Sequence, residues 1–287
     1  MSLQAKLTAG ALVAAGFLLL YWQVLGKLVL AWWTDDNYSH GFLIVPVAVY
    51  FAWERRRRFV AAPVAPSSAG LVIIIGSVFV LTAGVLGSEL FLTRISIVGT
   101  LVGIVLFLFG WQRLRVLAFP LAFLLLMIPI PAIIFNQIAF PLQLLASRVG
   151  EAAISAAHIP VLREGNVLIL ANTTLEVAEA CSGIRSLVSL LTLGIVFGYV
   201  ADSRGWVRTL IAVSAVPVAV VANGARVAGT GIAAHVFGAA AAEGFFHEFS
   251  GWVVFVSSFL MILALHRVVV WLAPPAVASP SAVASAA

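Results

Sequence analysis

The chain has 287 residues, of which 63% are hydrophobic and only 9% are charged, and its mean hydropathy is +1.14. A soluble domain carries about 25% charged residues, so the composition excludes a soluble globular protein and predicts an integral membrane protein. The net charge of +5 does not indicate nucleic-acid binding, because the positive residues are spread among short loops.

Apolar segments long enough to cross the hydrocarbon core of a bilayer, about 20 residues, recur along the chain. The first, Leu7 to Trp33, exceeds a signal-peptide core and lacks a small-residue cleavage site, so we interpret it as an uncleaved span. We expect an all-α polytopic membrane protein with one domain over 1–272 and a Pro/Ala/Ser-rich disordered tail over 273–287. Eight spans are predicted, at about 10–31, 40–53, 69–88, 94–111, 116–135, 183–200, 208–228 and 250–272.

Lysine and arginine are concentrated on one side of these spans. By the positive-inside rule this side is cytoplasmic, so both termini lie inside the cell and the protein belongs to the cell (inner) membrane. The cytoplasmic set is Lys6, Arg55, Arg56, Arg57, Arg58, Arg113, Arg115, Arg204, Arg208 and Arg267. The outer connections hold Lys27, Arg94, Arg148 and Arg163 together with most of the acidic residues.

The largest extramembrane segment, about 136–182, is predicted to lie outside. Over 138–158, apolar residues such as Ile138 and Leu145 fall opposite Gln143 and Ser147, the pattern of an amphipathic helix in the membrane interface. Short apolar runs within 161–177 then predict a small β-meander. The meander leads the chain to Cys181 and offers an extended substrate an edge for pairing.

Three chemically capable residues are predicted at the same outer membrane face. Cys181 is the only cysteine and therefore forms no internal disulfide. Arg226 follows the cytoplasmic Arg208 by 18 residues, about 27 Å of helix, and His247 just precedes the last span. The shared depth favours a reactive thiol over a buried, inert one.

The chemistry of these residues matches an acyl-transfer site. A helix that starts near Cys181, with Ser182 or Cys181 at its N-cap and Gly183 allowing close approach, would favour the thiolate, as would Arg185 one turn on. Arg226 would stabilise an oxyanion.

The acid/base residue is predicted to be His247, with His40 as the second candidate at the same face. Simpler interpretations stay open: an apolar packed cysteine, an arginine that extends to the interface, and a hydrated histidine. We expect no cofactor and no metal, because Glu243 and His247 lack a third ligand and no Gly-rich phosphate loop is present.

Several blocks of the sequence resemble the exosortase/archaeosortase family, over about residues 20–272. Three carry its signature: Ala180-Cys181-Ser182-Gly183-Ile184-Arg185-Ser186, Asn223-Gly224-Ala225-Arg226-Val227 and His247-Glu248-Phe249-Ser250-Gly251-Trp252. Asp36-Asn37-Tyr38-Ser39-His40-Gly41-Phe42 and Ile128-Pro129-Ile130-Pro131-Ala132 resemble two more.

The resemblance implies a membrane thiol transpeptidase or protease of the exosortase type, with a catalytic Cys, Arg and His at Cys181, Arg226 and His247. It implies protein substrates with a C-terminal sorting signal, made of a Pro-Glu-Pro-type motif, a membrane span and a basic tail. The acyl group would pass to an amine acceptor or to water. Ser182, Gly183, Arg185, Asn223 and His40 would support the site.

Two other classes stay open, a transporter or channel and a transferase acting on a lipid-linked polysaccharide. Both would use outer-face arginine or histidine, but neither has an evident use for Cys181.

The topology is open to a direct test. Reporter fusions after Arg58, Arg115 and Arg204 are expected to report the cytoplasm, and fusions near Glu89 and Asn166 the outside. An outside signal after Arg58 would contradict the predicted orientation and, with it, the location of the site.

Overall fold

A computed structural model of the protein describes residues 2–171, 173–177, 184–238 and 245–274. Within these ranges the chain forms ten α-helices, two short 3₁₀ helices and three β-strands. The helices are α1 Leu3–Thr34, α2 Gly41–Glu54, α3 Arg56–Ala61, α4 Ala69–Leu86, α5 Leu90–Phe109, α6 Trp111–Phe123, α7 Ala132–Ala156, α8 Ile184–Ala201, α9 Gly205–Phe237 and α10 Phe245–Leu272. The 3₁₀ helices are Asp36–Tyr38 and Leu124–Met127, and the strands are β1 Val161–Glu164, β2 Val167–Leu170 and β3 Thr174–Glu176.

The predicted all-α polytopic membrane fold is confirmed. Among the described residues, six helices are long and apolar enough to cross a membrane, compared with about eight predicted spans. Helices α2 and α6 occupy two more of the predicted spans but have only 14 and 13 residues. Helix α8 occupies a third and has 18 residues, of which Leu187–Ala201 is the described apolar part. The six are Leu7–Thr34, Ala69–Leu86, Leu90–Phe109, Ala132–Ala156, Gly205–Phe237 and Gly251–Leu272.

The prediction of one continuous span over 116–135 is wrong. Helix α6 ends at Phe123, continues as a 3₁₀ helix to Met127, and the next helix begins only at Ala132. Pro129 and Pro131 explain the break, because a proline has no N–H to donate and disfavours the helical conformation of the residue before it.

The chain forms two compact units, residues 1–134 and 135–287. The single domain predicted over 1–272 spans the first unit and most of the second, and residues 275–287 of the predicted tail lie outside the described residues. In the first unit, α4 and α5 pack closely through glycines on both helices, the usual way in which membrane helices approach each other. A Cβ atom at Gly103 would lie 2.7 Å from Ile74 Cγ1, and one at Gly84 would lie 2.9 Å from Thr93 Cγ2.

Buried polar contacts connect the remaining elements of the first unit. The fully buried Tyr21 hydroxyl of α1 bonds to the Ser96 carbonyl oxygen at 3.0 Å and to Thr100 Oγ1 at 2.7 Å on α5. Trp32 Nε1 donates to the carbonyl oxygen of Met127 at 2.9 Å. Because a polar group in an apolar interior must find a partner there, these contacts also specify which helices meet.

The second unit is built around the three-stranded antiparallel sheet, which confirms the predicted meander. A buried apolar cluster joins one face of the sheet to α7 and α9; its members include Ala146, Ile154, Leu168, Leu170, Val177, Val227 and Ala228. A helix, α7, is observed where the sequence predicts an amphipathic interfacial helix, and it is one of the six that are long and apolar enough to cross a membrane. Its exposed side carries Ile138 and Leu145, whereas Gln143 and Ser147 are buried toward the protein. Ser147 Oγ donates to the Gly165 carbonyl oxygen at 3.0 Å and so connects α7 to the β1–β2 turn.

Helices α8, α9 and α10 form the rest of the second unit around an apolar cluster that includes Leu190, Ile211 and Ile262.

Between α8 and α9, Arg204 Nη2 donates to Asp202 Oδ2 at 2.6 Å, and Arg208 Nε donates to the Asp202 carbonyl oxygen at 2.6 Å. The hydrogen bonds from Arg204 hold the pKa of the Asp202 carboxyl well below its usual range, against the opposing effect of burial. The carboxylate therefore stays ionised at neutral pH, and its stabilising contribution is lost only as the pH falls through that lowered value.

Candidate active site

Arg226 lies where α9 meets the first turns of α10. Its side chain is partly buried, and a Cβ atom at Gly251 would lie 3.4 Å from Arg226 Nη2 and 3.6 Å from its Cζ. The guanidinium therefore lies directly against the backbone of α10 at Gly251, where the absence of a side chain leaves room for it.

The sequence position of His247 lies on the same side of α10 as Gly251. Residues four apart in a helix share a face, and α10 begins at Phe245, so position 247 lies one turn before the residue that meets Arg226. The His247 side chain itself lies outside the described residues.

The sheet approaches the same part of α9. Val227 and Ala228, which directly follow Arg226, belong to the apolar cluster that covers one face of the sheet. Leu175 of β3 packs against this cluster, and its Cδ1 would lie 3.4 Å from a Cβ atom at Gly231. β3 ends at Glu176, five residues before Cys181 in the chain.

The predicted nucleophile cannot be located in the same way. Cys181, Ser182 and Gly183 lie outside the described residues, as does the side chain of Arg185, although its backbone belongs to α8. The chain flanking Cys181 is described on both sides: β3 ends at Glu176, and α8 begins at Ile184.

Close packing fixes α9 on both sides of Arg226. A Cβ atom at Gly224 would overlap the side chain of Val149 on α7, and one at Gly150 would lie 2.6 Å from Val227 Cγ1. Asn223, predicted to support the site, is 3% exposed. These contacts exclude larger residues at Gly224 and Gly150 and so hold the backbone that carries Arg226.

A groove of about 950 Å³ runs between α9 and α10, and among the described residues that line it Arg226 is the only charged one. Thr230 and Ser257 contribute hydroxyl groups, and the rest of the described lining is apolar. The α9 side is Val221, Ala222, Ala225, Arg226, Gly229, Thr230, Ala233 and Phe237, and the α10 side is Phe249, Val253, Val254, Ser257 and Met261. Such a groove fits an apolar segment that carries a polar or extended portion beside Arg226.

His40, the second acid/base candidate, lies in the first unit, whereas Arg226 lies in the second. It precedes α2, and its Nε2 lies 3.2 Å from the carbonyl oxygen of Leu126. Tyr38 nearby donates its hydroxyl to the carbonyl oxygen of Ile130 at 3.3 Å. These contacts tie the segment around His40 to the Pro-containing segment after α6, which is a structural role.

Arg94 in α5 is a residue whose burial the sequence analysis missed. Its side chain is buried, 6% exposed, and its Nε has no hydrogen-bond partner among the described residues. The available signal was an arginine within the first turns of an apolar span, which is costly unless it is solvated or used. The sequence places it in an outer connection, whereas α5 begins at Leu90 and includes it.

No group of three His, Cys, Asp or Glu residues close enough to hold a metal ion occurs in the described part of the chain.

The fold and this arrangement define a polytopic membrane protein in which an arginine of one long apolar helix lies against the first turns of another. The chain belongs to the transmembrane exosortase family, whose family model matches residues 32–264, and the resemblance is thereby confirmed. The protein is a membrane-embedded sorting transpeptidase in the general sense of that family. Comparison with curated proteins gives no match, and comparison with solved structures gives none either.

Gly251 provides a test of the Arg226 position. Gly251→Leu is expected to displace the guanidinium and to lower processing of a co-expressed sorting substrate by tenfold or more, about 1.4 kcal/mol of transition-state stabilisation. Gly251→Ala adds only an ordinary contact at 3.4 Å and is expected to retain processing.

Gly76→Leu serves as the matched control, because it is the same change in α4 at a glycine whose Cβ would meet nothing within 4 Å. Equal activity of well-expressed Gly251→Leu and Gly76→Leu would contradict the idea that the guanidinium must lie against α10.

Proposed function

We propose that the protein is a cysteine transpeptidase or protease that cleaves C-terminal sorting signals at the outer face of the cell membrane. The observation that carries the proposal is the position of Arg226. The guanidinium lies against α10 one turn from position 247, and the adjacent turn of α9 packs on the sheet whose last strand leads to Cys181.

In the first half-reaction, the Cys181 thiolate attacks a substrate peptide carbonyl and a C–S bond forms. Arg226 stabilises the oxyanion of the tetrahedral intermediate with its charge and N–H groups. His247, in its protonated form, gives a proton to the departing amine as the C–N bond breaks. The products are a thioester on Cys181 and a released C-terminal segment.

In the second half-reaction, an amine acceptor or water attacks the thioester. His247 removes a proton from this nucleophile, and the Cys181 thiolate leaves as the new amide or acid forms. Arg226 again stabilises the oxyanion, so the same three residues serve both halves without a cofactor.

The groove between α9 and α10 supports a substrate that is itself membrane-anchored. The described lining, which is apolar apart from Arg226, Thr230 and Ser257, suits the apolar span of a sorting signal, with the scissile bond just beyond it. A Pro-Glu-Pro-type motif next to such a span would bring the scissile carbonyl to the level of Arg226.

Loss of single catalytic residues tests the mechanism. Cys181→Ala, Arg226→Ala and His247→Ala are each expected to cost nearly as much processing as the triple variant, because residues that act as a unit give non-additive losses. Cys181→Ser should also fail, since a serine hydroxyl is hardly ionised at neutral pH. Release of the C-terminal segment of a tagged substrate is followed by blot.

Arg226→Lys separates charge from geometry. A lysine keeps the charge but lacks the guanidinium fork, so we expect processing to fall by about 100-fold. Arg148 is an exposed arginine of α7, so Arg148→Lys is the matched control and should process normally.

Normal processing by well-expressed Cys181→Ala would exclude the thiol mechanism and favour the transporter interpretation.

The groove is tested at Gly229, which lines it and whose Cβ would meet nothing within 4 Å. Gly229→Leu is therefore expected to fold normally but to fill the groove and reduce processing at limiting substrate. Gly76→Leu controls for the effect of leucine at an open helical glycine. If Gly229→Leu and Gly76→Leu process equally, the substrate span does not occupy this groove.

A further inference from the structure

We infer that the outer edge of β3 binds the extended cleavage segment of the substrate as a fourth strand of the sheet. The inference rests on the proposed function, because it requires a peptide substrate cleaved at Cys181. It adds how the substrate backbone is held, through hydrogen bonds to Thr174 and Glu176.

The direction of the backbone groups in β3 follows from its pairing. Leu170 N donates to the Thr173 carbonyl oxygen at 2.9 Å, and Val177 N donates to the Asn166 carbonyl oxygen at 2.8 Å. Hydrogen-bonding direction alternates along an antiparallel strand. Residues 173, 175 and 177 therefore face β2, and the N–H and C=O groups of Thr174 and Glu176 point to the other side. Among the described residues, no strand pairs with that side.

The opposite edge of the sheet, on β1, is less suited to a substrate. By the same alternation Val161 and Arg163 turn their backbone groups outward there, but Pro160 directly precedes the strand and cannot donate. The Arg163 side chain is held by Glu151 of α7 at 2.7 Å. β1 also lies much farther along the chain from Cys181 than β3 does.

The location of β3 suits the delivery of a scissile bond. Four residues separate Glu176 from Cys181, and a chain extends by at most about 3.3–3.6 Å per residue, so the chain keeps Cys181 within a short reach of the end of β3. Leu175 packs on the cluster that includes Val227, the neighbour of Arg226. Strand addition would therefore hold the substrate backbone close to the turn that carries the guanidinium.

Strand pairing also predicts an alternating preference in the substrate. Every second side chain of an added strand would lie on the face of Leu175 and Val177, which packs against α7 and α9. The others would lie on the open face beside Thr174 and Glu176, which are both exposed. Main-chain bonds would give affinity, and the covered face would favour small or apolar side chains.

A proline placed in β3 tests the outward hydrogen bonds. Thr174→Pro removes an N–H that points away from β2, and we expect processing to fall about tenfold or more relative to Thr174→Val, which keeps the N–H and the side-chain size. Equal processing by the two variants would contradict pairing at Thr174. Equal accumulation and equal elution of the two proteins in detergent control for folding.

Crosslinking tests the strand register without depending on turnover or on proline. In the Cys181→Ala background, Glu176→Cys is expected to form disulfides with single cysteines at alternate positions of the substrate segment, because side chains alternate in an added strand. Glu164→Cys, on the same face of the sheet but at the β1 edge, is the matched control and should give no such pattern.

Absence of the alternating pattern would overturn the strand inference. The failure of the proposed function is separately visible, because it would appear as normal processing by Cys181→Ala. A wild type that processes, an inactive Cys181→Ala and no alternating crosslinks would leave the thiol mechanism intact and exclude β3 as the docking edge.

Discussion

The charge on Arg226 is the constraint around which the second unit is arranged. Placing a guanidinium within an apolar span costs at least about 2.5–3.5 kcal/mol at the centre of the membrane. Such a side chain therefore has to extend to a polar environment or serve a function that offsets the cost. Here it lies against α10 at Gly251, where no side chain occupies the space. Gly224 and Val227, on either side of Arg226 in the sequence, pack tightly against α7, which fixes the helix that carries the charge.

Much of this arrangement was predictable because it depends on local patterns. Alternating apolar residues and a turn-forming glycine, Gly165, predicted the meander. In the structure Gly165 takes a positive φ of 64°. That Arg226 and His247 belong to one membrane face, as their places in the sequence predict, stays a prediction. Where a local rule was underweighted, the prediction was wrong: Pro129 and Pro131 interrupt the span predicted over 116–135.

The helix-to-helix contacts that position the site could not be predicted from a single sequence. That Gly150 accommodates Val227, or that Leu175 reaches Gly231, follows from which helix faces which, and small residues alone do not name their partners. The burial of Arg94 was not predicted, although the sequence contains a signal for it. A charge early in an apolar helix can indicate a buried arginine, but it fits equally well an arginine near the end of a span that extends to the interface.

The two binding surfaces of the second unit have complementary physical character. As far as its lining is described, the groove between α9 and α10 is apolar apart from Arg226 and two hydroxyls, so it suits a helical segment whose backbone bonds are already made within itself. The outer edge of β3, with which no described strand pairs, suits an extended segment whose backbone groups still need partners. The proposed substrate, a sorting signal, would change from a helix to an extended segment where it leaves the membrane. Arg226, which lines the groove, directly precedes the part of α9 that packs on the sheet, so an oxyanion formed where the substrate passes from helix to extended segment would meet its guanidinium.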